Sequence, residues 1–195
     1  MTTVHFIRHA KPDLSVHDDR TRPLSADGLA DCRLIGEYLA DEPLASVLSS
    51  PYRRAMDTVA VLARARSLPI FPVEDFRERM ISDAWIDDFT AFTRRQWADH
   101  DYKLPVGESL RETEERCVAA LEGVLDQYAG QSVAVGIHGT ALSCILYHYI
   151  PSFGYDDFLD ICHEMPWIVT MTFDGSACTG ITEYRVFSRA TRRLL

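Results

Sequence analysis

The 195-residue sequence predicts an α/β fold, a three-layer α/β/α sandwich whose central sheet is mostly parallel with a C-terminal antiparallel edge. Three observations predict it. Short apolar runs alternate with helical stripes, which requires crossover connections and a sheet covered on both faces. Three of those runs, Val4-His5-Phe6-Ile7, Val47-Leu48-Ser49-Ser50 and Val133-Ala134-Val135-Gly136-Ile137, stop at polar or cationic residues. Segments 168–173 and 181–187 flank Asp174-Gly175, a turn pair suited to antiparallel strands.

Residues 4–7 are β-branched and aromatic, as a buried strand should be. The polar loop that follows, to residue 24, contains Asp13, Asp18 and Asp19 and no glycine, so side chains must order it or it stays mobile. Ser25 reads as an N-cap before the stripe Leu29, Cys32, Ile35 and Leu39. Residues 47–50 form the second strand. Ser50-Pro51 reads as N-cap plus N1 proline, opening a helix with Ala55, Val59 and Leu62 inward. Ile70-Phe71-Pro72-Val73 reads as an edge strand, because proline cannot donate to a central ladder. Trp85, Phe89 and Phe92 repeat at helical spacing within 84–98; they read as core, with some of them lining a leaving-group pocket. Ser109-Leu110-Arg111-Glu112 matches a capping box, and Leu110, Cys117, Leu121, Val124 and Tyr128 follow on one helix face. Residues 133–137 are the clearest buried strand. Thr140 can cap the helix beyond, where Leu142, Ile145, Leu146 and Tyr149 are apolar. No repeat, low-complexity tract or linker divides the chain. The expectation is one domain over 1–195, with 76–106 as an insertion over the site.

Composition is ordinary for a globular chain, 47% hydrophobic and 25% charged. No apolar stretch approaches the length of a membrane span. Met1-Thr2-Thr3 leads straight into a strand with no basic-then-apolar leader. Five cysteines without a close-spaced pair read as reduced, mostly buried thiols, and so as a cytoplasmic location. The net charge of −9 repels nucleic acid and anionic membranes, so neither is expected as a partner; a homodimer is left open. It also repels phosphorylated metabolites, so a phosphate site here must be a local positive pocket.

The strand ends supply one. If the three runs are neighbouring parallel strands, Arg8, His9, Arg53, Arg54 and His138 meet at their carboxyl ends, where such sheets bind ligands. Two imidazoles and two or more guanidiniums around one anion point to phosphoryl chemistry. Phosphate monoesters need barrier lowering of roughly 20 kcal/mol or more. A neutral imidazole can attack phosphorus and divide one hard step into two easier ones. Neighbouring arginines keep that imidazole neutral and contact the equatorial oxygens. The leaving alkoxide needs a proton, which a carboxylic acid near the phosphate can give. Residue types alone do not choose among Glu78, Asp83, Asp87 and Glu108.

Phe-Ile-Arg8-His9-Ala10 resembles the Arg-His-Gly motif of the histidine phosphatase superfamily, the phosphoglycerate-mutase-like proteins. Pro23-Leu24-Ser25-Ala26-Asp27-Gly28 is similar to that family's Leu-Thr-x-x-Gly helix start. Ser49-Ser50-Pro51-Tyr52-Arg53-Arg54-Ala55 with Thr58 resembles its second arginine motif, Gly107-Glu108-Ser109-Leu110 its Gly-Glu-Ser helix start, and Ile137-His138-Gly139 its second histidine. Each motif is weak alone, and five in order are specific. The resemblance covers most of the chain. It implies that His9 is the nucleophile and passes through a phosphohistidine. It implies that Arg8, Arg54 and His138 form the phosphate pocket. It implies that Glu78, in Phe76-Arg77-Glu78, is the proton donor. Ala10 replaces the usual glycine, Lys11-Pro12 the usual Glu-Thr, and Met80-Ile81-Ser82-Asp83-Ala84-Trp85 the usual glycine-rich run.

The expected function is a metal-independent phosphomonoesterase acting on a small phosphorylated metabolite, with no cofactor. The short insertion favours hydrolysis over mutase action. The alternatives are a phosphotransferase of the phosphoglycerate mutase type, a protein-phosphohistidine phosphatase, and a non-catalytic phospholigand-binding protein of the same fold. Among other residues, Arg53 reads as solvated, Glu108 as favouring its helix start, and His5 as hydrogen-bonded within a helix layer. Cys162-His163 reads as no metal site, and Arg189, Arg192 and Arg193 read as a solvated tail.

Overall fold

A computed structural model describes residues 1–83 and 86–195. One seven-stranded sheet runs in the order β3-β2-β4-β1-β5-β6-β7. Its strands are β1 (Thr2–Arg8), β2 (Leu44–Ser49), β3 (Ile70–Pro72), β4 (Ser132–Ile137), β5 (Trp167–Asp174), β6 (Ala177–Arg185) and β7 (Ala190–Arg193). The helices are α1 (Ala26–Tyr38), α2 (Arg53–Ala65), α3 (Phe89–Ala98), α4 (Leu110–Gln127), α5 (Gly139–Tyr149) and α6 (Tyr155–Ile161). Strands β3, β2, β4 and β1 are parallel, each pair joined through helical crossovers. Strand β5 pairs antiparallel with β1, and β6 and β7 continue in that sense. The C-terminal antiparallel edge expected from the sequence is three strands wide.

Alternation along the buried strands divides the core. From β1 and β4, Val4, Phe6, Val133, Val135 and Ile137 pack with Leu110, Leu121, Leu142 and Ile145 of α4 and α5. On the opposite face, Ile7 and Ala134 pack with Ile35 of α1 and Val59 and Leu62 of α2. Every one of these side chains is at most 4% exposed. Burying an aliphatic side chain of this size stabilises the fold by about 1.5–3 kcal/mol. His5 is hydrogen-bonded as expected, but to strand residues rather than to a helix: Nδ1 lies 2.9 Å from the Thr170 hydroxyl of β5 and Nε2 3.2 Å from that of Ser132 in β4.

The capping box at Ser109 is complete: Glu112 N–H donates to the serine hydroxyl, and Ser109 N–H donates to the Glu112 carboxylate. Ser25 caps α1 by accepting from Gly28 N–H. Helix α2 departs from expectation. It starts at Arg53, not at Ser50-Pro51, because Ser50 stays tied to the sheet: its N–H donates to Gly136 O at 2.8 Å. Helix α5 starts at Gly139, and Thr140 lies inside its first turn as an N–H donor rather than as its cap. The arginine-rich C-terminus is not a free tail. Residues 190–193 form β7, and Arg192 donates to the buried carboxylate of Glu183. Helix α6 was unread in the sequence. Helix α3 begins at Phe89, and the expectation for Trp85 lies outside the described residues. Phe92 is buried, whereas Phe89 is 48% exposed.

Side chains order the glycine-free loop 10–24. Asp13 accepts from Ser15 N–H, Asp18 from Thr21 N–H, and Arg22 donates to the Val16 and His17 carbonyls. Gly28 admits the loop: a Cβ there would lie 2.2 Å from Lys11 O.

Candidate active site

The sheet register builds the site. The carboxyl ends of β1, β2 and β4 are adjacent, and backbone bonds continue past the strands: His9 N–H donates to Ile137 O at 3.0 Å, and Ser50 N–H to Gly136 O at 2.8 Å. Residues 9, 50 and 138 are thereby fixed side by side. The His9 and His138 rings lie 5.3 Å apart at an angle of 62°. Tyr52 packs edge-on against His138 at 5.1 Å, and the Arg54 guanidinium lies 5.2 Å from the centre of the Tyr52 ring.

His9 Nδ1 is 2.8 Å from the carbonyl of its neighbour Ala10. A carbonyl only accepts, so Nδ1 carries the proton and the lone pair is on Nε2. Burial, then the positive charges of Arg54 and Arg8, hold the His9 pKa well below the ordinary histidine value. Burial, Arg54 and His9 do the same for His138. The Nε2 of His138 is 2.7 Å from the Ser50 hydroxyl, and its Nδ1 has no partner among the described residues.

The two arginines are placed differently. Arg8 lies flat against Gly139, where an added Cβ would come within 2.9 Å of its guanidinium carbon. Its Nη1 donates to Ile161 O at 2.6 Å and its Nη2 to Cys162 O at 3.1 Å, while Nε is buried without a partner among the described residues. The fork expected to face an oxyanion therefore faces carbonyls, and Nε is the nitrogen without a partner among the described residues. Burial lowers its pKa to about 10. Arg54 is 3% exposed and donates to the backbone carbonyl of Asp19, with Nη1 also 3.2 Å from the Asp19 carboxylate. Arg53 is exposed and lies 3.4 Å from Asp57, as expected for a solvated residue.

The carboxylates separate clearly. Glu78 reaches the start of α5: Thr140 N–H donates to its Oε2 at 3.0 Å and Ala141 N–H to its Oε1 at 3.2 Å. It therefore stands two residues from His138, at a helix N-terminus where anions are favoured. Glu108 is held elsewhere, accepting from Arg77, from Arg116 at 2.9 and 3.1 Å, and from Met80 N–H at 3.0 Å. Burial opposes its charge, but the Arg116 and Met80 hydrogen bonds outweigh that and hold its pKa below the ordinary value. Among the described residues, no three His, Cys, Asp or Glu side chains are placed to share a metal ion.

The family model of the histidine phosphatase superfamily (branch 1) matches residues 4–181. This chain belongs to the histidine phosphatase superfamily. An uncharacterized phosphatase, PhoE, of Bacillus subtilis (strain 168) is 31% identical over 150 residues, 75% of this chain and 76% of the relative. A probable phosphoglycerate mutase, GpmB, of Serratia proteamaculans (strain 568) is 26% identical over 158 residues, 75% and 74% of the two chains. The solved structure of YhfR from Bacillus stearothermophilus superposes with a TM-score of 0.75 at 22% identity, covering 91% of this chain and 94% of that one. The superfamily agrees with the enzyme class and the fold read from the five motifs.

Superfamily motifs did not point to two neighbours of the site. Asp19, on the loop, occupies Arg54, and Arg79 follows Glu78 directly yet is 3% exposed. Only the adjacency of Arg79 to Glu78 could have drawn attention to it. An open cleft of about 600 Å³ is lined by Lys11, Asp27, Asp31, His163 and Phe187 among others, and by none of the five predicted site residues.

The paired histidines make stability depend on pH. In the unfolded chain both take up protons near 6.5, whereas the folded protein resists protonating either. Their contribution to stability is therefore complete above that value and is lost as pH falls below it. The melting temperature is expected to drop between about pH 7 and about pH 5. In ¹⁵N-resolved NMR spectra at about pH 6, His9 is expected as the neutral Nδ1–H tautomer. An imidazolium signal for His9 at that pH would contradict the electrostatic account.

Proposed function

We propose that this chain is a cytoplasmic, metal-independent phosphomonoester hydrolase that acts on a small phosphorylated metabolite through a phosphohistidine. The observation that carries this reading is the His9 Nδ1 to Ala10 carbonyl contact at 2.8 Å, which leaves Nε2 as a free lone pair beside Arg54 and His138. In the first step His9 Nε2 bonds to phosphorus and the ester P–O bond breaks. Glu78, entering as the carboxylic acid, passes its proton to the departing alkoxide. In the second step the Glu78 carboxylate takes a proton from water as that water attacks phosphorus. The N–P bond breaks, inorganic phosphate leaves, and His9 is neutral again. Arg54, His138 and the Arg8 Nε hold the non-bridging oxygens, each such donor contributing roughly 3–4 kcal/mol to transition-state stabilisation. Similarity to the phosphatase PhoE supports hydrolysis.

Similarity to the probable mutase GpmB supports a second reading, in which the phosphohistidine returns its phosphoryl group to the substrate at another hydroxyl. A panel of phosphorylated metabolites, followed by ³¹P NMR with a chelator present, separates the two. Free phosphate is the expected product. An isomerised ester without free phosphate would replace hydrolysis by transfer. Binding without turnover on every ester would leave a phospholigand-binding protein.

A further inference from the structure

We infer that Arg79 is the positioning residue that sets the Glu78 carboxyl for proton transfer and ties it to α3. The inference rests on the proposed role of Glu78 as proton donor.

Arg79 touches Glu78 and one of the two α5 residues that hold it. Its backbone N–H donates to Glu78 Oε1 at 2.9 Å, and its Nη1 lies 3.9 Å from the same oxygen. That Nη1 also donates to the Thr140 hydroxyl, and Thr140 is the residue whose N–H donates to Glu78 Oε2. On its other side, Nε donates to Gln96 Oε1 of α3 at 2.8 Å. Gln96 is itself fixed, donating to Tyr102 O at 3.2 Å and Glu108 O at 3.1 Å. The Phe89 ring, 5.7 Å from the guanidinium carbon, covers the assembly from the insertion side.

Guanidinium groups are seldom buried this fully without a carboxylate in direct hydrogen-bond contact. The Arg79 side chain is 1% exposed, and among the described residues Glu78 is its one carboxylate neighbour within 4.0 Å. Nη2 is buried with no partner among those residues. A cation here favours the carboxylate that Glu78 becomes at the moment its proton leaves. The planar fork also holds two acceptors on different elements in one rigid geometry, Gln96 through Nε and Thr140 through Nη1, whereas a lysine offers only a single flexible ammonium. Arg79 does not touch the phosphoryl group. It acts through Glu78.

The test compares an alkyl phosphate, whose leaving oxygen needs a proton, with p-nitrophenyl phosphate, whose leaving oxygen does not. Arg79→Gln is expected to lower the alkyl-to-aryl ratio of kcat about a hundredfold, the lower end of what a general acid supplies, with KM for the alkyl ester changed only a few-fold. Arg79→Lys, which keeps the charge and loses the fork, is expected to fall between wild type and Arg79→Gln. Glu78→Gln alone is expected to lower the same ratio, and adding Arg79→Gln to it is expected to lower the ratio no further. If Arg79→Gln does not fold, Thr140→Val removes the hydroxyl link at nearly constant volume and is expected to shift the ratio in the same direction. Equal slowing of both esters by the Arg79 variants, or effects that multiply with those of Glu78→Gln, would overturn the inference alone. A Glu78→Gln variant with an unchanged ratio would remove the proton-donor reading, and the inference with it.

Discussion

His9→Ala is expected to lower turnover on every phosphomonoester by about 10⁴-fold or more, to near the detection limit. The alanine has no lone pair to offer phosphorus, and nothing else in the pocket replaces it. His138 Nε2 is engaged by the Ser50 hydroxyl, 2.7 Å away, and its Nδ1 is the nitrogen left for a non-bridging oxygen, so neither serves as a second nucleophile. The pocket cations stay in place, so the variant should still bind phosphate or vanadate. Loss of turnover with retained anion binding separates a missing nucleophile from a collapsed site. A second readout is direct: wild-type protein quenched during turnover should carry acid-labile, alkali-stable phosphate, and His9→Ala should carry none. Undiminished turnover in this variant would discard the phosphohistidine mechanism.

Replacing the two rival carboxylates is expected to give opposite phenotypes. Glu78→Gln should slow alkyl esters by roughly 10²–10⁴-fold and aryl esters far less, because only the alkoxide depends on a proton donor. Its amide would also turn an NH₂ toward N–H donors at Thr140, Ala141 and Arg79, for a stability loss of about 1–2 kcal/mol. Glu108→Gln should leave the alkyl-to-aryl ratio unchanged and reduce stability by roughly 2–4 kcal/mol, since it strips the mostly buried Arg116 guanidinium of its counter-charge and, among the described residues, leaves Arg77 only its carboxylate contact with Asp75 at 3.4 Å. Urea unfolding and the two substrate assays decide both. A Glu108→Gln variant that is stable but inactive on alkyl esters would reassign the proton donor.

The strand ends were legible because each contributes consecutive residues: Arg8-His9, Arg54 just past Ser50, and His138-Gly139 all follow apolar runs whose pairing the alternation rule implies. Ser109 was legible because a capping box is a local pattern of four residues. What stayed hidden depends on contacts distant along the chain. The sequence signal for a helix at Ser50-Pro51 was sound, but the hydrogen bond from Ser50 to β4 overrode it. Strand β7 has almost no apolar content, so its place beside β6 comes from edge pairing and from the Arg192 to Glu183 contact. The separation of Glu78 from Glu108 is of the same kind, resting on which carboxylate meets α5 and which meets Arg116.

The substitution in this chain's signature motif is chemically silent for one reason. The group that fixes the tautomer of His9 is the main-chain oxygen of residue 10, an atom every amino acid possesses. No side-chain replacement there can delete it. The side chain at position 10 is constrained by room, since Ala10 is wholly enclosed beside Leu24 and Cys32, while its N–H donates to the Thr58 hydroxyl at 3.0 Å. Alanine fits that space as glycine would, while a leucine would have to displace the loop that carries Asp19. A larger side chain at this position is therefore expected to disturb the volume beneath the loop while leaving the carbonyl contact of His9 in place.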